Sequence, residues 1–375
     1  MIYFDNASST KPSETALKVF LETSEKFYFN PNSIHKYGMK EFNEIKHIKD
    51  KILSELKLDS TYDVLFTSGA TESNNLAIRG YCLKNKGRGN HIITTKIEHE
   101  SVLNVFKNLE DLGFKVTYLD INSDGRIDIE NFKKVMDKDT ILVSIMPVNN
   151  EVGNALNIKD INEVVKNYPK CVLHCDCAQT LGKYDFNYKL ADLITISAHK
   201  IYGIKGIGAL IKKKKIMLEP IHYGGGQENG LRSGTSDYPA IVSFFESIKE
   251  VNKEFKDTYK EVSLIHNYLV EELSKFDNIK LHLYKDYSPY ILNFSLLNKK
   301  ASVIVEALSN EDILVSSVSA CNSKKEEPSY VLLALGNSLL EAKNAIRISL
   351  GKYNTLDQAK EFVNKFKEIL ERIRG

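Results

Sequence analysis

Residues 171–213 read CVLHCDCAQTLGKYDFNYKLADLITISAHKIYGIKGIGALIKK, and three short strand-like runs lie in this stretch, at 171–178, 192–198 and 209–212. Upstream of it, strand-like runs at 63–68, 91–96, 115–121 and 140–148 alternate with helix-like segments at 71–79, 101–112, 129–136 and 158–168. Strands that alternate with helices of this length indicate βαβ units. The sequence therefore predicts an α/β fold with a mostly parallel sheet.

The pattern changes near residue 238, where a long and highly charged helical stretch begins and runs to about residue 276. After it come strand-like runs at 281–284, 291–296 and 346–350, and helix-like runs at 302–308 and 356–374. A chain of 375 residues suits one large domain and one smaller domain. We expect a large domain over 16–245 and a small domain built from 1–15 and 246–375.

Charge and composition argue against several classes of protein. Lys and Arg total 51 and Asp and Glu total 49, so no global basic surface indicates direct binding of nucleic acid. No apolar stretch approaches the ~20 residues that span a bilayer, and no basic segment followed by an apolar one opens the chain, so we expect no membrane span and no secretory signal. Five cysteines, an odd number in a long chain, argue against a disulfide framework and favour the cytoplasm.

Lys200 follows an apolar strand-like run, in the sequence Ser197-Ala198-His199-Lys200. An ammonium group is costly to bury, and a buried lysine shifts its pKa readily and then serves as a Schiff-base amine. A surface lysine at the end of a strand is the alternative interpretation. The glycines that follow do not have the spacing G-x-G-x-x-G, so a dinucleotide-binding loop is a weak interpretation.

Asp176 lies within an otherwise apolar run, and a carboxylate in that position needs a partner. A protonated pyridine nitrogen is one such partner. Strand alternation puts Asp176 and His174 on one face and the cysteines at 171, 175 and 177 on the other. A tetrahedral metal site needs four ligands together, so we predict no metal site and interpret the cysteines as small apolar residues.

Two further segments follow strand-like runs at the same predicted edge of the sheet. Ser68-Gly69-Ala70-Thr71-Glu72 precedes a helix, and free N–H groups at a helix start form an anion site, although an ordinary helix cap is the alternative. His99 follows the run at 91–96. A single histidine is more often a structural residue than a catalyst.

These segments belong to a longer series of blocks that resembles the NifS/IscS-type cysteine desulfurases of the class V aminotransferase family nearly end to end. The blocks are Tyr3-Phe4-Asp5-Asn6-Ala7, Phe66 through Asn75, Glu98-His99, Val148 through Gly153, Asp176-Cys177-Ala178-Gln179, His199 through Gly203, Gly224 through Glu228, Arg232-Ser233-Gly234-Thr235, Ser319-Ala320-Cys321, Glu327-Pro328-Ser329 and Ile346 through Gly351. The resemblance implies a pyridoxal-phosphate-dependent aminotransferase-like fold. That fold has a seven-stranded type of sheet flanked by helices in the large domain and a smaller α+β C-terminal domain.

The resemblance also implies a role for each site residue. Lys200 would bind pyridoxal 5'-phosphate covalently, and His99 would stack on its ring and move protons. Asp176 would pair with the ring nitrogen, Gln179 would hydrogen-bond the phenolic oxygen, and Asn150 would sit beside the ring. The phosphate would be bound by Ala70, Thr71, Ser197 and His199, and by Thr235 of a neighbouring subunit, which implies a homodimer.

The implied activity is the conversion of L-cysteine to L-alanine. Arg347 would take the substrate carboxylate, and Cys321 would accept the sulfur as a persulfide for delivery to an acceptor protein, either an iron–sulfur scaffold or a tRNA-thiolation enzyme. A selenocysteine lyase or another class V enzyme is the alternative. A non-catalytic relative is less consistent with the sequence, because Lys200, Asp176 and Cys321 are all present.

Cys321 lies in the polar segment 316–328, which carries four consecutive charges at 324–327 and lacks helical or strand periodicity. Segments of this kind are typical of surface loops, and such loops often carry function. We expect a mobile loop that holds Cys321 away from Lys200 until substrate binds.

Overall fold

The computed structural model describes residues 1–317 and 327–373. In this part of the chain the strands are β1 (Ile2–Tyr3), β2 (Tyr62–Thr67), β3 (His91–Thr95), β4 (Lys115–Leu119), β5 (Thr140–Ser144), β6 (Val172–Asp176), β7 (Leu193–Ser197), β8 (Gly208–Lys213), β9 (Ile279–Leu281), β10 (Ile291–Leu296), β11 (Ile313–Leu314), β12 (Ser316–Ser317) and β13 (Ala345–Ser349). Five of them, β3, β5, β7, β10 and β13, are buried at every residue, as is typical of strands at the centre of a sheet that is covered on both faces.

The α-helices of the described residues are α1 (Glu14–Lys26), α2 (Lys36–Glu55), α3 (Ala70–Asn75), α4 (Tyr81–Asn85), α5 (Glu100–Asp111), α6 (Ile129–Val135), α7 (Ile158–Val165), α8 (Tyr238–Leu273), α9 (Ala301–Ser309), α10 (Tyr330–Ala334), α11 (Leu339–Lys343) and α12 (Leu356–Arg372). A π-helical turn, Leu76–Gly80, joins α3 to α4. No helix in these two stretches is both long enough and apolar enough to cross a membrane.

Seven strands form the large sheet in the order β2-β8-β7-β6-β5-β3-β4. Neighbouring strands from β4 to β7 are parallel, whereas β8 is antiparallel to both β7 and β2. The prediction of a mostly parallel sheet flanked by helices is confirmed, with β8 as its exception. The connection from β7 to β8, residues 198–207, is shorter than the dozen or so residues that a parallel crossover needs, so β8 returns antiparallel.

Helices cover both faces of the large sheet. One face packs against α2, α6, α7 and the first half of α8, and the other packs against α4 and α5. Helix α5 buries Val102, Val105, Phe106 and Leu109, which share one face because they recur at helical spacing. Each such buried side chain contributes roughly 1.5–3 kcal/mol of hydrophobic stabilisation.

A smaller antiparallel sheet, in the order β12-β13-β10-β9, lies in the C-terminal part of the chain, and β1 pairs in parallel with β11 beside it. Apolar residues of this sheet form their own core with α9, α12 and the second half of α8. Helix α8 contributes Phe244 to the large core and Leu269 to the small one. The expected domain boundary near residue 245 therefore falls inside this helix, and the exact division stays a prediction.

Several elements differ from the expected bounds. The strand predicted at 140–148 ends at Ser144, because the chain leaves the ladder where Met146 N–H donates to the Glu98 carboxylate. The strand predicted at 281–284 lies at Ile279–Leu281, where it pairs with β10. The helix predicted at 71–79 continues through the π-helical turn to Asn85. The segment expected as a loop from 316 onward begins with strand β12.

Candidate active site

A cavity of about 560 Å³ lies at the carboxyl ends of β2, β3, β5, β6 and β7. Ligands of open α/β sheets bind in this position. The remaining wall is formed by Arg347 of β13, in the small sheet, and by Ala7 and Ser8 of the N-terminal segment. The predicted site residues that line the cavity are Ala70, Thr71, His99, Asn150, Asp176, Gln179, His199, Lys200 and Arg347.

Asp176 ends β6 and is 5% exposed. Its carboxylate accepts two hydrogen bonds, one from Asn74 Nδ2 at 2.8 Å and one from the backbone N–H of Ala178 at 3.0 Å. Asn74 Nδ2 also donates to Ser101 Oγ at 2.8 Å. The carboxylate is thereby fixed in orientation at the cavity wall. Asn74 has no predicted role, because nothing in its position along the chain indicates that it meets Asp176.

Lys200 lies on a single 3-10 turn directly after β7. Its Nζ donates to the carbonyl oxygens of Ala7 at 2.6 Å and Ser8 at 2.8 Å. The amine is therefore held at the cavity by the N-terminal segment, which packs against the small sheet. This placement brings Lys200 and Asp176 to the same space from neighbouring strands.

His199 and Ser197 form a pair beside Lys200, with Ser197 Oγ 2.9 Å from His199 Nδ1. Ser197 is buried at the end of β7 and supports His199 rather than lining the cavity. Burial lowers the pKa of His199 to about 4, and the nearby positive charges of Lys200 and Lys183 act in the same direction. The imidazole is therefore neutral at physiological pH.

Arg347 is 4% exposed, and its guanidinium is held by three hydrogen bonds. It donates to Asn150 O at 2.9 Å, to Asp5 Oδ1 at 2.9 Å and to Ser8 Oγ at 2.7 Å. Among the described residues, neither Arg347 Nε nor Asn150 Oδ1 has a hydrogen-bond partner, although both atoms are buried. Two residues that line the cavity therefore keep unsatisfied polar atoms, which is typical of a site built for a polar ligand.

His99 caps helix α5, and its Nδ1 accepts from the backbone N–H of Ser101 at 3.1 Å. The side chain is exposed toward the cavity mouth. The neighbouring Glu98 is fully buried and accepts from Thr95 Oγ1 at 2.8 Å. Burial raises the pKa of Glu98 to about 8. These contacts fix the start of α5, and therefore the position of the imidazole.

Comparison with known proteins agrees with this arrangement. The model of the aminotransferase class-V family matches residues 2–362. A NifS/IcsS protein homolog of Lactobacillus delbrueckii is 38% identical over 99% of this chain and 97% of its own length. Cysteine desulfurase IscS 1 of Archaeoglobus fulgidus is 36% identical over 100% of this chain and 98% of its own length. A solved NifS-like protein superposes with a TM-score of 0.92 at 34% identity, covering 99% of this chain and 100% of its own.

The chain belongs to the NifS/IscS-type cysteine desulfurases of the class V aminotransferase family. A further member of known structure, SspA, was solved in complex with cysteine, and it is 32% identical with a TM-score of 0.82 over 95% of this chain and 100% of its own. The expected family and fold class are therefore confirmed.

Of the predicted site residues that the structure of this NifS/IscS-type chain describes, Ser197 and Thr235 do not line the cavity. Thr235 is exposed, in the segment that follows β8. That segment is fixed to the wall of the cavity by Arg232, whose Nε donates to the buried carboxylate of Glu72 at 2.9 Å. Cys321 lies outside the described residues, so its predicted loop and position stay predictions.

The other four cysteines of this NifS/IscS-type chain are buried and are not paired in disulfides. Burial raises the pKa of each of these thiols well above its ordinary value. Cys171, Cys175 and Cys177 belong to the large core. They are packing residues, because a buried thiol that stays protonated is a poor nucleophile.

Lys183 is a feature of the site that the sequence does not predict. It is 3% exposed, and its Nζ donates to Gln179 Oε1 at 2.9 Å. In the sequence it follows Gly182 in a turn and resembles an ordinary surface lysine. Only the fold places it behind the cavity wall.

Proposed function

We propose that this chain is a pyridoxal-phosphate-dependent cysteine desulfurase that converts L-cysteine to L-alanine and retains the sulfur on Cys321 as a persulfide. The observation that carries the proposal is the meeting of Lys200, Asp176 and Arg347 at one cavity. An amine, a carboxylate and a guanidinium are the groups required to bind the cofactor covalently, to pair with its ring nitrogen and to bind an amino-acid carboxylate.

The cavity residues fit pyridoxal phosphate. Asp176 is held by two donors and faces the same space as the Lys200 amine, and the first turn of α3 supplies N–H groups that have no partner within their own helix. Gly208 lets the sheet pack closely behind that turn, because a Cβ there would lie 2.8 Å from Gly69 Cα. The buried unsatisfied oxygen of Asn150 agrees with a polar ligand beside it.

The residues that would hold the cofactor are those named from the family resemblance. Lys200 would bind it covalently, Asp176 would pair with its ring nitrogen, and Gln179 would donate to its phenolic oxygen. His99 and Asn150 would lie against the ring, and the phosphate would be bound by Ala70, Thr71, Ser197, His199 and Thr235 of a second subunit. When bound, pyridoxal phosphate supplies an electron sink that makes the Cα proton of an amino acid removable.

Arg347, Lys200 and His99 each act on the substrate in a different way. Arg347 orients the substrate through its carboxylate, and Asp5, Ser8 and the Asn150 carbonyl hold the guanidinium in place. Lys200 takes the Cα proton. His99 accepts and returns protons at the cavity mouth, where its imidazole is exposed.

Sulfur transfer follows from the chemistry of Cys321. Its thiolate attacks the sulfur of the substrate, an S–S bond forms, and the C–S bond breaks with its electron pair left on the substrate carbon. Proton return to that carbon yields alanine, so the sum is cysteine plus thiol to alanine plus persulfide. Because a free thiol with a pKa near 8.5 is only partly ionised at neutral pH, a base is needed, and His99 or the substrate amine serves.

A homodimer is part of the proposal. Large apolar side chains are exposed at the start of α2 and in the segment before it, with Tyr28 77%, Ile34 95%, Met39 55% and Phe42 55% exposed. Apolar patches of this kind are typical of interfaces. Lys49 of α2 pairs at 2.5 Å with Glu228, which lies seven residues before Thr235, so the helix that carries part of this patch also contacts the segment that leads to Thr235. The acceptor of the persulfide would be an iron–sulfur scaffold or a tRNA-thiolation enzyme in the cytoplasm.

The direct test incubates the holoenzyme with L-cysteine and a reductant and measures alanine and sulfide together. Equal amounts of both products support a desulfurase. Pyruvate and ammonia in place of alanine would indicate a different lyase, and a parallel reaction with L-selenocysteine compares the two substrates directly.

A further inference from the structure

Lys183 is a second lysine close to the site, and it lies directly behind the cavity wall to which Gln179 belongs. The side chain is 3% exposed, and its own backbone carbonyl accepts from Ser288 Oγ at 3.1 Å, which fixes the turn that carries it. Within the described part of the chain, this ammonium has no carboxylate partner. Burial, and then the positive charges of Lys200 and Arg347, lower the pKa of Lys183 to about 7. Burial of an ammonium without a carboxylate partner costs free energy, so Lys183 is not a group that stabilises the fold by ion pairing.

The contact between Lys183 and Gln179 determines which way the amide points. A lysine ammonium has three donors and no acceptor, so it binds the amide through Oε1. Gln179 Nε2 is then the end that faces Ala7 O, to which it donates at 2.8 Å. The second N–H of the same nitrogen remains for a group in the cavity, which Gln179 lines.

The same carbonyl connects this contact to Lys200. Ala7 O accepts both from Gln179 Nε2 at 2.8 Å and from Lys200 Nζ at 2.6 Å. If the Gln179 amide were reversed, its oxygen would face the Ala7 oxygen, and two acceptors would oppose each other. The Ala7 carbonyl and Lys183 therefore favour the same orientation of the Gln179 amide, one at each end of it.

We propose that Lys183 is a positioning residue, which holds the Gln179 amide with its nitrogen toward the cavity so that Gln179 presents a hydrogen-bond donor to the bound cofactor. This inference rests on the proposed function, since the recipient of that donor is the phenolic oxygen of pyridoxal phosphate. Lys183 acts through Gln179 and does not touch the substrate.

The experiment compares Lys183→Met with Lys212→Met as a matched control. Lys212 is also a buried lysine, at 6% exposure, but its Nζ binds backbone carbonyls at the far end of β8, including Ile216 O at 3.0 Å. For each full-length apoprotein, pyridoxal phosphate is titrated and followed by visible absorbance, and the thermal midpoint is measured separately. We expect Lys183→Met to raise the dissociation constant about tenfold, which corresponds to ~1.4 kcal/mol, and Lys212→Met to leave it unchanged.

A double-mutant cycle with Gln179→Ala separates positioning from a general structural effect. If Lys183 acts through Gln179, the added change Lys183→Met has less than about a twofold effect in the Gln179→Ala background. An equal tenfold loss in both backgrounds would overturn the proposal, as would a Lys183→Met protein with wild-type affinity. If Lys183→Met does not fold, Lys183→Gln carries the same expectation, because a neutral amide does not enforce one orientation.

The proposal and the function on which it rests fail in different ways. A wild-type protein that shows no visible band with pyridoxal phosphate would contradict the proposed function. A wild-type protein that binds the cofactor, together with a Lys183→Met variant that binds it equally well, would contradict only the role of Lys183.

Discussion

Asn74 Nδ2 donates to Asp176 Oδ2 at 2.8 Å and joins two residues that are 102 positions apart in the chain. Asn74 lies in helix α3, after β2, and Asp176 ends β6, so the contact crosses the carboxyl edge of the large sheet. Both side chains are buried. The orientation of the carboxylate that faces the cavity is therefore set by a residue on the helix whose first turn would bind the phosphate.

The first prediction concerns this pair. Asn74→Ala should weaken binding of pyridoxal phosphate about tenfold, because a hydrogen bond to a charged group is worth roughly 1.5–3 kcal/mol and one of the two donors to Asp176 is lost. Cofactor titration by absorbance measures the effect. Asn85→Ala is the control, since Asn85 is likewise buried but its side chain contacts Tyr81 O, Met217 O and Arg88, all away from the cavity. If Asn74→Ala and Asn85→Ala bound pyridoxal phosphate with equal affinity, Asn74 would have no specific role at the cofactor site.

Removal of the amine gives the second prediction. Lys200→Ala should lose both the visible absorption band of the holoenzyme and all alanine production, because no other described amine lines the cavity. Lys205→Ala changes an exposed lysine five residues away and should retain both. An active Lys200→Ala protein would show that the cofactor amine had been misassigned.

The third prediction tests the substrate carboxylate. Arg347→Lys should raise KM for cysteine about tenfold to a hundredfold, because a planar guanidinium becomes a point charge that cannot span Asp5, Ser8 and Asn150. Cofactor affinity should change little. Arg126→Lys, which alters the surface pair with Asp286, is the control. An unchanged KM would remove Arg347 from the substrate site.

Acid stability gives the fourth prediction. His174 is fully buried between Ser144 Oγ and Thr195 Oγ1, and burial lowers its pKa from the ordinary value of about 6.5 to about 4. Between pH 4 and pH 6.5, the His174 side chain is therefore protonated in the unfolded chain but not in the folded chain. Stability from this group is complete above pH 6.5 and falls as the pH drops toward 4, by about 3 kcal/mol.

Urea unfolding at several pH values checks this expectation. In His174→Gln, the free energy of unfolding should fall by about 3 kcal/mol less than in the wild type between pH 6.5 and pH 4. His47→Gln, at an exposed position on α2, should lose as much as the wild type. A His174→Gln protein with the same acid limb as the wild type would assign the loss of stability to other groups.

The sequence was sufficient to predict the large sheet and the cavity residues that follow its strands. Asp176 ends a strand, and Lys200 and His99 each come shortly after one. Because parallel strands bring their carboxyl ends to one edge of the sheet, the meeting of these residues follows from local patterns. The antiparallel direction of β8 was not predicted, because it depends on the short connection before it.

The parts that escaped prediction depend on contacts distant in sequence. The strands β1, β11 and β12 have two residues each, which is too short for a period-two pattern. Asn74 and Lys183 are ordinary polar residues until the fold brings them to Asp176 and Gln179. Such pairings are fixed by the tertiary structure, not by local periodicity.

The central claim is that sulfur leaves cysteine for Cys321, and one measurement tests it most directly. The holoenzyme is treated with L-cysteine without reductant, and its cysteines are analysed by mass spectrometry in the wild type, in Cys321→Ser and in Cys82→Ala, a control at a fully buried thiol. The account predicts a persulfide on Cys321 in the wild type and in Cys82→Ala, with alanine formed, and no enzyme persulfide in Cys321→Ser although cofactor and cysteine still bind. A Cys321→Ser protein that turns over cysteine at the wild-type rate would contradict it.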